Sequence, residues 1–414
     1  MAVVESAPPR RGLRLPPAGH LAAGLGAFAL AVVPLLFLKF HSGKFPVDLA
    51  VYREAGRVVL RGGNPYAPAF GRNLRIPLPF TYPPFAAAGA VAVGVLSEPV
   101  ALIAWTAVSL AALLALVGLA FGPVFEGAAP WAATLSSRWR WAVVGLAAGA
   151  LAWTIPLNET ISFGQVNLLL ALACVLDCGV VPALAPRRRG VLVGIATAVK
   201  LTPGVFILYF AVTRQWAAAL RAVVTTVLCE LVAAAVLPGP SRQYWFHLFF
   251  SPSRTGDPTY FTNQSLYGTV SRLHLPPLLW PPLAVVAGAL GMWRAARAHR
   301  EALEVAAVAL VGLTAVLVSP IAWQHHGVWI VLMVGVLAAW ATTPWRVAAT
   351  LGVLAFFLQP LPLFGKQMVV AGTLPILGKL LENSYVLAYV ALIALLPLAG
   401  PKTAGRLWRF PGRG

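Results

Sequence analysis

Val100-Ala-Leu-Ile-Ala-Trp-Thr-Ala-Val-Ser-Leu-Ala-Ala-Leu-Leu-Ala-Leu-Val-Gly-Leu-Ala-Phe121 contains no charged residue, and this stretch decides the fold class. A helix that crosses a bilayer needs about 20 apolar residues, and the stretch supplies that length. Hydrophobic residues make up 59% of the 414-residue chain and charged residues 10%. Ordinary soluble domains carry roughly 25% charged residues. Together with a mean hydropathy of +0.80, the composition predicts an integral membrane protein.

Similar apolar stretches recur along the whole chain, and twelve of them are candidate membrane spans. We place them near 20–39, 83–97, 100–121, 141–157, 166–182, 190–212, 217–237, 277–293, 303–319, 327–341, 346–361 and 385–400. The sequence lacks the alternating pattern of a transmembrane β-barrel. We therefore expect an all-α polytopic membrane protein, a single domain over residues 1–414 with about twelve transmembrane helices.

The basic residues indicate how the chain is oriented in the membrane. The formal net charge is +19, but the basic residues are dispersed over short loops, as around Arg294 and Arg406, instead of forming one patch. This distribution is typical of the positive-inside bias of membrane proteins and argues against nucleic-acid binding. It predicts that both termini lie in the cytoplasm. Three long segments then lie on the outer, periplasmic side: 40–82, 238–276 and 362–384.

One part of this topology conflicts with the charge rule. Strict alternation of spans puts Arg187-Arg188-Arg189 outside and residues 158–165 inside. The conflict disappears if the stretches 100–137 and 190–212 are each broken or re-entrant, with Pro203 as one possible break. Both versions keep the first outer segment outside.

The first outer segment is predicted to contain a short interfacial helix over 47–61. Asp48, one of three aspartates in the chain, and Tyr52 lie one turn apart on one face. Tyr52 and Arg53 fall largely off the apolar stripe of this helix. That stripe comprises Val47, Val51, Ala55, Val58 and Val59. Gly62-Gly63-Asn64-Pro65 is expected to end the helix, because glycine accepts a left-handed cap and proline cannot continue it.

Asp48 has two interpretations. It is either a carboxylate in a first helical turn, stabilised by the helix dipole by about 0.3–1 kcal/mol, or a general base that faces an acceptor hydroxyl. The rarity of aspartate in this chain and the position of Asp48 at the outer surface favour the catalytic role.

Two polar clusters lie further along the chain. Arg254, Asn263 and Gln264 lie among aromatic residues, an arrangement that suits sugar recognition but is equally consistent with a capped turn. His325 and His326 follow a predicted span, where one of them could bind a sugar hydroxyl or a phosphate. The alternative is a pair of interfacial histidines beside a tryptophan belt.

Lys200 lies within an apolar stretch, where a charge costs about 2.5–3.5 kcal/mol at the bilayer centre. A lipid-borne phosphate would compensate this cost, and snorkelling of the side chain towards the interface is the alternative. The segment Gly164-Gln165-Val166-Asn167 joins two spans without a clear side. Cys174, Cys178 and Cys229 lie within predicted spans and are interpreted as core residues.

Several short motifs follow one another in order between residue 40 and about 330. They are Val47-Asp48-Leu49 with Tyr52, Gly63-Asn64-Pro65-Tyr66, Phe80-Thr81-Tyr82-Pro83-Pro84, Gly164-Gln165-Val166-Asn167, Lys200-Leu201-Thr202-Pro203 and Asn263-Gln264-Ser265-Leu266. This set resembles glycosyltransferase family 87, within the membrane glycosyltransferases of GT-C fold. The resemblance implies a GT-C-like bundle and Asp48 as the catalytic base. We assign substrate binding to Tyr52, Asn64, Tyr66, Tyr82, Lys200, Arg254, Asn263, Gln264, His325 and His326.

The resemblance also implies the substrates. The donor would be a polyprenyl-phosphate mannose and the acceptor a phosphatidylinositol mannoside in the outer leaflet, joined by an α-1,2 bond with inversion. A phosphate leaving group needs no general acid, and a general base typically supplies about 10²–10⁴-fold. We expect no metal and no further cofactor. Membrane lipids are the other expected partners.

Two alternatives remain open at this stage. One is transfer of arabinofuranose, or another sugar of cell-envelope glycans, from a polyprenyl phosphate. The other is a lipid or sugar transporter, because many spans with broken helices and an intramembrane lysine also fit a carrier. Transporters, however, place their sites near mid-bilayer, whereas the polar residues of this chain gather on one predicted surface.

Overall fold

The computed structural model describes residues 18–398 except Lys44, Asn73, 126–131, Ala133, 181–187 and 252–254. Arg254, one of the predicted substrate-binding residues, therefore lies outside the described residues. Within the described part the regular elements are helices, and strand-like pairing is limited to one antiparallel bridge between Asn263 and Trp323. The prediction of an all-α fold is confirmed.

The first half of the chain forms ten helices as far as it is described. They are α1 Ala18–His41, α2 Val47–Leu60, α3 Pro84–Gly89, α4 Val91–Gly94, α5 Glu98–Pro123, α6 Ser137–Trp153, α7 Ile155–Phe163, α8 Asn167–Asp177, α9 Val191–Val199 and α10 Val205–Val212. The predicted end of α2 is confirmed. The helix α2 ends before Gly62, which has a φ of 69°, and α3 begins at Pro84.

The second half adds ten more helices. They are α11 Trp216–Val236, α12 Pro238–Phe246, α13 Leu266–Arg272, α14 Trp280–Arg300, α15 Glu304–Val318, α16 Ile330–Trp340, α17 Pro344–Leu358, α18 Leu361–Val370, α19 Pro375–Glu382 and α20 Ser384–Leu395. Short 3-10 turns lie at Thr202–Gly204, Leu248–Phe250, Pro277–Leu279 and Gln324–Trp329.

Between four and seven segments of the described chain are long and apolar enough to cross a membrane. Four single helices qualify: Ala18–Lys39, Glu98–Pro123, Trp216–Val236 and Pro277–Arg300. Three bent pairs qualify only when both members are taken together: α6 with α7, α17 with α18, and α19 with α20, bent by 80°, 54° and 59°. The count of twelve spans stays a prediction. The proposed break in 190–212 is present, because α9 ends at Val199 and Lys200 is extended, with φ −153° and ψ 130°.

The centre of the bundle is α15. Every residue from Val305 to Leu317 is buried, and a helix that is apolar all round is expected to be buried on all sides. At the periphery, α1 turns Leu30 and Phe37 outward, 79% and 59% exposed. Large apolar side chains exposed on a helix of this length are typical of lipid contact.

The helix α2 is fixed against α4 by close backbone contact and by Arg53 and Arg57, of which Arg57 donates to the carbonyl oxygen of Gly94 at 3.4 Å. A Cβ on Gly94 would lie 2.8 Å from the carbonyl carbon of Gly56. Arg53 donates to the carbonyl oxygen of Leu96 at 3.1 Å, and its guanidinium lies 3.6 Å from Glu98. We expected Tyr52 and Arg53 to lie off the buried face, and this was wrong, because both side chains are buried. The reason is that Arg53 satisfies carbonyl oxygens beyond the end of α4, where no helical N–H is available.

Candidate active site

Asp48 lies in the first turn of α2 and is part of a compact hydrogen-bonded cluster. One turn further on, the hydroxyl of Tyr52 lies 2.7 Å from the hydroxyl of Tyr82. Both tyrosines also donate to Oε1 of Gln165, each at 3.1 Å. Because Oε1 accepts these two bonds, the hydrogen bond between Gln165 and Asp48 uses the amide N–H of Gln165 as donor.

A glycine brings Gln165 next to α2. Gly164 ends α7 in the left-handed conformation, with φ 72° and ψ 39°, which glycine adopts without steric cost. A Cβ at this position would lie 2.6 Å from the Cβ of Leu49. The motif Gly164–Asn167 thus turns the chain between α7 and α8 directly beneath the first turn of α2.

Burial is the largest influence on the pKa of Asp48. Removal from water raises the pKa of Asp48, since the charged form loses solvation. His325, the hydrogen bond from Gln165 and the ammonium of Lys200 lower it, in that order, and Glu159 raises it further. The net direction is upward, which makes this carboxylate a stronger base than an exposed aspartate.

The two tyrosines remain neutral hydroxyl groups. Burial is the largest cause that raises the pKa of Tyr52 and of Tyr82, and the nearby charge of Asp48 acts in the same direction. Their O–H groups therefore stay protonated at physiological pH, and each donates its one hydrogen within the cluster, as to Oε1 of Gln165.

Lys200 places a cation on the other side of the cluster. Its Nζ donates to Oδ1 of Asn167 at 2.8 Å and lies 3.1 Å from Nε2 of His326. It also lies 5.4 Å from the ring centroid of Tyr82, within the range of a cation–π interaction. Because the helix breaks at Lys200, the side chain leaves the helical array and points into the cluster.

The two adjacent histidines make different contacts. The buried His325 places its Nδ1 3.8 Å from Oε2 of Glu159. Its backbone oxygen accepts from Thr160 at 2.9 Å and from Asn167 at 2.8 Å. Nε2 of His325 is buried without a hydrogen-bond partner among the described residues, and His326 contacts Lys200. Residues from five separate stretches thus converge on one site.

A small cavity borders the cationic side of the cluster. Lys200 and His326 form its polar wall, together with Asn167. Its apolar wall consists of Leu170, Ala315, Val316, Val328 and Trp329. A polar end with a cation next to an apolar wall suits an anionic headgroup that carries a hydrocarbon chain.

The structure brings together six of the predicted site residues and separates others. Asp48, Tyr52, Tyr82, Lys200, His325 and His326 form the cluster. Asn64 lies apart and donates to Oε1 of Gln243 at 2.7 Å. Tyr66 reaches the cluster only through its hydrogen bond to the backbone oxygen of Tyr82, at 2.7 Å. A role for Asn64 and Tyr66 in substrate binding stays a prediction.

Asn263 and Gln264 do not contact the cluster. Both are completely buried, and their side-chain amides bond to backbone groups. Gln264 donates to the oxygen of Glu382 at 2.9 Å and accepts from the N–H of Val386 at 3.2 Å. Whether either residue touches a substrate stays a prediction.

Sequence reasoning missed the roles of Gln165, Asn167 and Glu159. The motif Gly164–Asn167 was recognised but could not be assigned to a membrane side, so its two amides were not included in the site. The available signal was the pair of amides next to a glycine at a junction of two apolar helices.

The described residues show no group of three or more histidine, cysteine, aspartate or glutamate side chains that could hold a metal ion. Cys174, Cys178 and Cys229 are unpaired thiols, the first two buried and the third half-buried. Asp177, near two of them, accepts from the backbone N–H groups of Gly190 and Val193 at 2.9 and 2.8 Å. This contact is a helix-capping role for Asp177.

Comparison with known proteins gives a consistent result. Residues 80–320 match the model of glycosyltransferase family 87. The chain is 34% identical over 337 residues to a polyprenol-phosphate-mannose-dependent α-(1-2)-phosphatidylinositol mannoside mannosyltransferase of Mycolicibacterium smegmatis, covering 76% of this chain and 75% of the relative. It is 32% identical over 316 residues to the protein of that name from Mycobacterium tuberculosis, covering 72% of both chains.

A second type of relative is a polyprenol-phosphate-mannose-dependent α-(1-2)-phosphatidylinositol pentamannoside mannosyltransferase of Mycolicibacterium smegmatis. It is 33% identical over 295 residues, which cover 69% of this chain and 67% of the relative. No solved structure matches the chain significantly.

Proposed function

The chain belongs to glycosyltransferase family 87, and from this premise we propose that it transfers mannose from a polyprenol-phosphate-mannose donor to a phosphatidylinositol mannoside. It is a glycosyltransferase, and the new linkage in our proposal is α-(1-2). The names of its relatives supply the donor and acceptor classes. The residues of this chain supply the mechanism that follows.

The observation that carries the mechanism is that one cluster contains both a carboxylate, Asp48, and an ammonium group, Lys200. Gln165 bonds to Asp48 and accepts from Tyr52 and Tyr82. The ammonium of Lys200 lies 5.4 Å from the ring centroid of the same Tyr82. We assign Asp48 as the general base and Lys200 as the cation for the departing phosphate.

In this mechanism an acceptor hydroxyl attacks the anomeric carbon while Asp48 takes its proton. The bond from the anomeric carbon to the lipid phosphate breaks on the opposite face, so the configuration inverts. The departing phosphate needs no proton, because it is already a stable anion. Lys200 compensates the negative charge that grows on the phosphate oxygens, and such preorganised charges are usually the largest contribution to catalysis.

The hydrogen bonds of Lys200 prepare it for this role. Asn167 and His326 hold its Nζ at 2.8 and 3.1 Å, so little rearrangement is required when the phosphate arrives. The apolar wall of the neighbouring cavity accepts the first isoprene units of the donor in our proposal. No metal or other cofactor takes part in the proposed mechanism.

We also propose the membrane arrangement. The chain crosses the inner membrane about twelve times, with both termini in the cytoplasm and the active site on the periplasmic side. The helix α2 belongs to the first periplasmic segment, 40–82, and serves as an interfacial helix. The segments 238–276 and 362–384 form the rest of that face. The excess of arginine in the loops assigned to the cytoplasm supports this orientation.

The test is Asp48→Asn, which keeps the size of the side chain and removes its basicity. Reconstituted protein is supplied with radiolabelled polyprenol-phosphate mannose and a phosphatidylinositol mannoside, and products are separated by thin-layer chromatography. We expect at least about a hundredfold loss of transfer with an unchanged melting temperature. The matched control is Asp257→Asn, because Asp257 is exposed and its side chain bonds only to Thr259 among the described residues.

Near-normal turnover by Asp48→Asn would remove this residue as the base. A parallel reaction with polyprenol-phosphate arabinofuranose tests the sugar. Transfer from that donor and none from the mannose donor would refute the mannosyltransferase assignment.

A further inference from the structure

We propose that Asn263 is a positioning residue for the donor site. The inference rests on the proposed function, because it concerns the Lys200–His326 pair that we assign to the donor phosphate. Asn263 is completely buried, so it acts on this pair through the backbone of residues 320–323 and not through contact with a substrate.

The side chain of Asn263 holds that backbone segment at two points and joins it to Pro258. Its Oδ1 accepts from the N–H of Ala322 at 2.9 Å. Its Nδ2 donates to the oxygen of Pro258 at 3.0 Å and to that of Pro320 at 3.4 Å. All these partners are backbone atoms. A buried side-chain amide whose donors and acceptor are all hydrogen-bonded fixes the chain segments that it joins.

The neighbours of Asn263 reinforce the same contact. The N–H of Gln264 donates to the oxygen of Ala322 at 2.7 Å. The hydroxyl of Ser265 donates to the oxygen of Pro320 at 3.1 Å. Asn263 and Trp323 form the antiparallel bridge. The motif Asn263–Ser265 is therefore a clamp on residues 320–323.

This clamped segment leads directly to the donor site. The backbone N–H of His326 donates to the oxygen of Trp323 at 2.8 Å, which begins the 3-10 turn Gln324–Trp329. Nε2 of His326 then meets Nζ of Lys200 at 3.1 Å. A shift of Ala322 or Trp323 would move His326, and with it the ammonium that receives the phosphate.

The other end of the clamp is also fixed. Arg272 donates to the backbone oxygens of Asn263 and Tyr260, at 2.6 and 3.0 Å. Its remaining N–H groups bond to Oδ1 of Asn383, at 3.1 and 2.6 Å. Gly268 packs against Asn263 so tightly that a Cβ would lie 2.5 Å from the backbone oxygen of Asn263. The clamp therefore stands on a rigid base.

The experiment compares two buried amides of this network. Asn263→Ala removes two bonds to residues 320–323 and one to Pro258. Asn383→Ala also removes three bonds, two from Arg272 and one to the oxygen of Lys379, without releasing residues 320–323. We expect both variants to lower the melting temperature. Only Asn263→Ala should raise the KM for polyprenol-phosphate mannose, by about tenfold, the order of one lost hydrogen bond to a buried group.

A double-mutant cycle separates positioning from general loosening. In a Lys200→Met background the added effect of Asn263→Ala on the donor KM should shrink to about twofold or less, because the ammonium through which Asn263 acts has been removed. Full additivity of the two substitutions would overturn the inference. An equal rise of KM in Asn383→Ala would also overturn it.

If Asn263→Ala does not fold, Asn263→Ser replaces it in the same cycle. This variant is neutral and its shorter side chain carries one hydroxyl in place of the amide, so the same pattern is expected with a rise of KM no larger than that of Asn263→Ala. Absence of mannosyl transfer by the wild-type protein would refute the proposed function. Wild-type transfer with an unchanged donor KM in the Asn263 variants would refute this inference alone.

Discussion

The hydrogen bond between Gln165 and Asp48 makes a quantitative prediction for the pH dependence of transfer. Gln165→Leu removes the amide that donates to the carboxylate and keeps the approximate volume of the side chain. Tyr52 and Tyr82 remain paired with each other, at 2.7 Å between their hydroxyl oxygens. We therefore expect the fold to persist and the basicity of Asp48 to change.

The sign follows from the role of the carboxylate. Asp48 acts as a base only when it is ionised, and burial raises its pKa above that of an ordinary aspartate. Transfer is thus fully present above the raised pKa and is lost as the pH falls through it. The hydrogen bond from Gln165 lowers the pKa of Asp48, so its removal raises the pKa further. The acidic limb of the pH–rate profile should move to higher pH in Gln165→Leu.

The magnitude comes from the strength of a hydrogen bond to a charged group. Such a bond contributes about 1.5–3 kcal/mol, and one pKa unit corresponds to about 1.36 kcal/mol. Part of the surface of Asp48 remains exposed, so we take the lower end of this range. We expect the acidic limb of the pH–rate profile to move by about one pH unit.

The assay is the initial rate of mannosyl transfer by reconstituted protein at saturating donor and acceptor, measured across the acidic limb. Tyr82→Phe is the comparison variant, since Tyr82 bonds to Gln165 but stays neutral and is not among the groups that shift the pKa of Asp48. Its acidic limb should stay in place even if its maximal rate falls. An unmoved limb in Gln165→Leu, or an equal movement in Tyr82→Phe, would refute the assignment of the limb to Asp48.

Two further predictions concern packing and cofactors. Gly56→Ala should lower the melting temperature by the equivalent of about 1–3 kcal/mol, because its Cβ would meet the backbone oxygen of Ala90 and α2 would be pushed from α4. Gly118→Ala, where no atom lies within 4 Å of the added Cβ, is the control, and an equal loss in both would contradict this explanation. Transfer should persist in excess EDTA. If EDTA abolished transfer and Mg²⁺ or Mn²⁺ restored it, the metal-free mechanism would be wrong.

The spacing of residues along the chain predicts part of the site. The separation of four residues between Asp48 and Tyr52 predicts a shared helical face, and both residues do belong to one cluster. The same periodicity failed for Arg53, which is buried. Its burial depends on the carbonyl oxygens of Leu96 and on Glu98, whose positions no pattern within α2 can encode.

The polar motif at Asn263 and Gln264 shows a different limit. Amides among aromatic residues suggested sugar binding, but a sequence cannot say whether an amide faces a substrate or a backbone. In the folded chain, the partners of Asn263 come from residues 258 and 320–322. Its position in the interior follows from those contacts.

The sequence by itself determined the class of protein. Uncharged stretches such as 100–121 exclude a soluble fold, because their transfer from water is favourable and a helix satisfies its own backbone groups in lipid. Only the tertiary structure decided that Asp48, Gln165, Lys200 and His326 meet at one site. They come from segments far apart in the sequence, Asp48 from a helix and the other three from breaks or turns between helices. Helical periodicity fixes which face a residue lies on but not which other segment that face packs against.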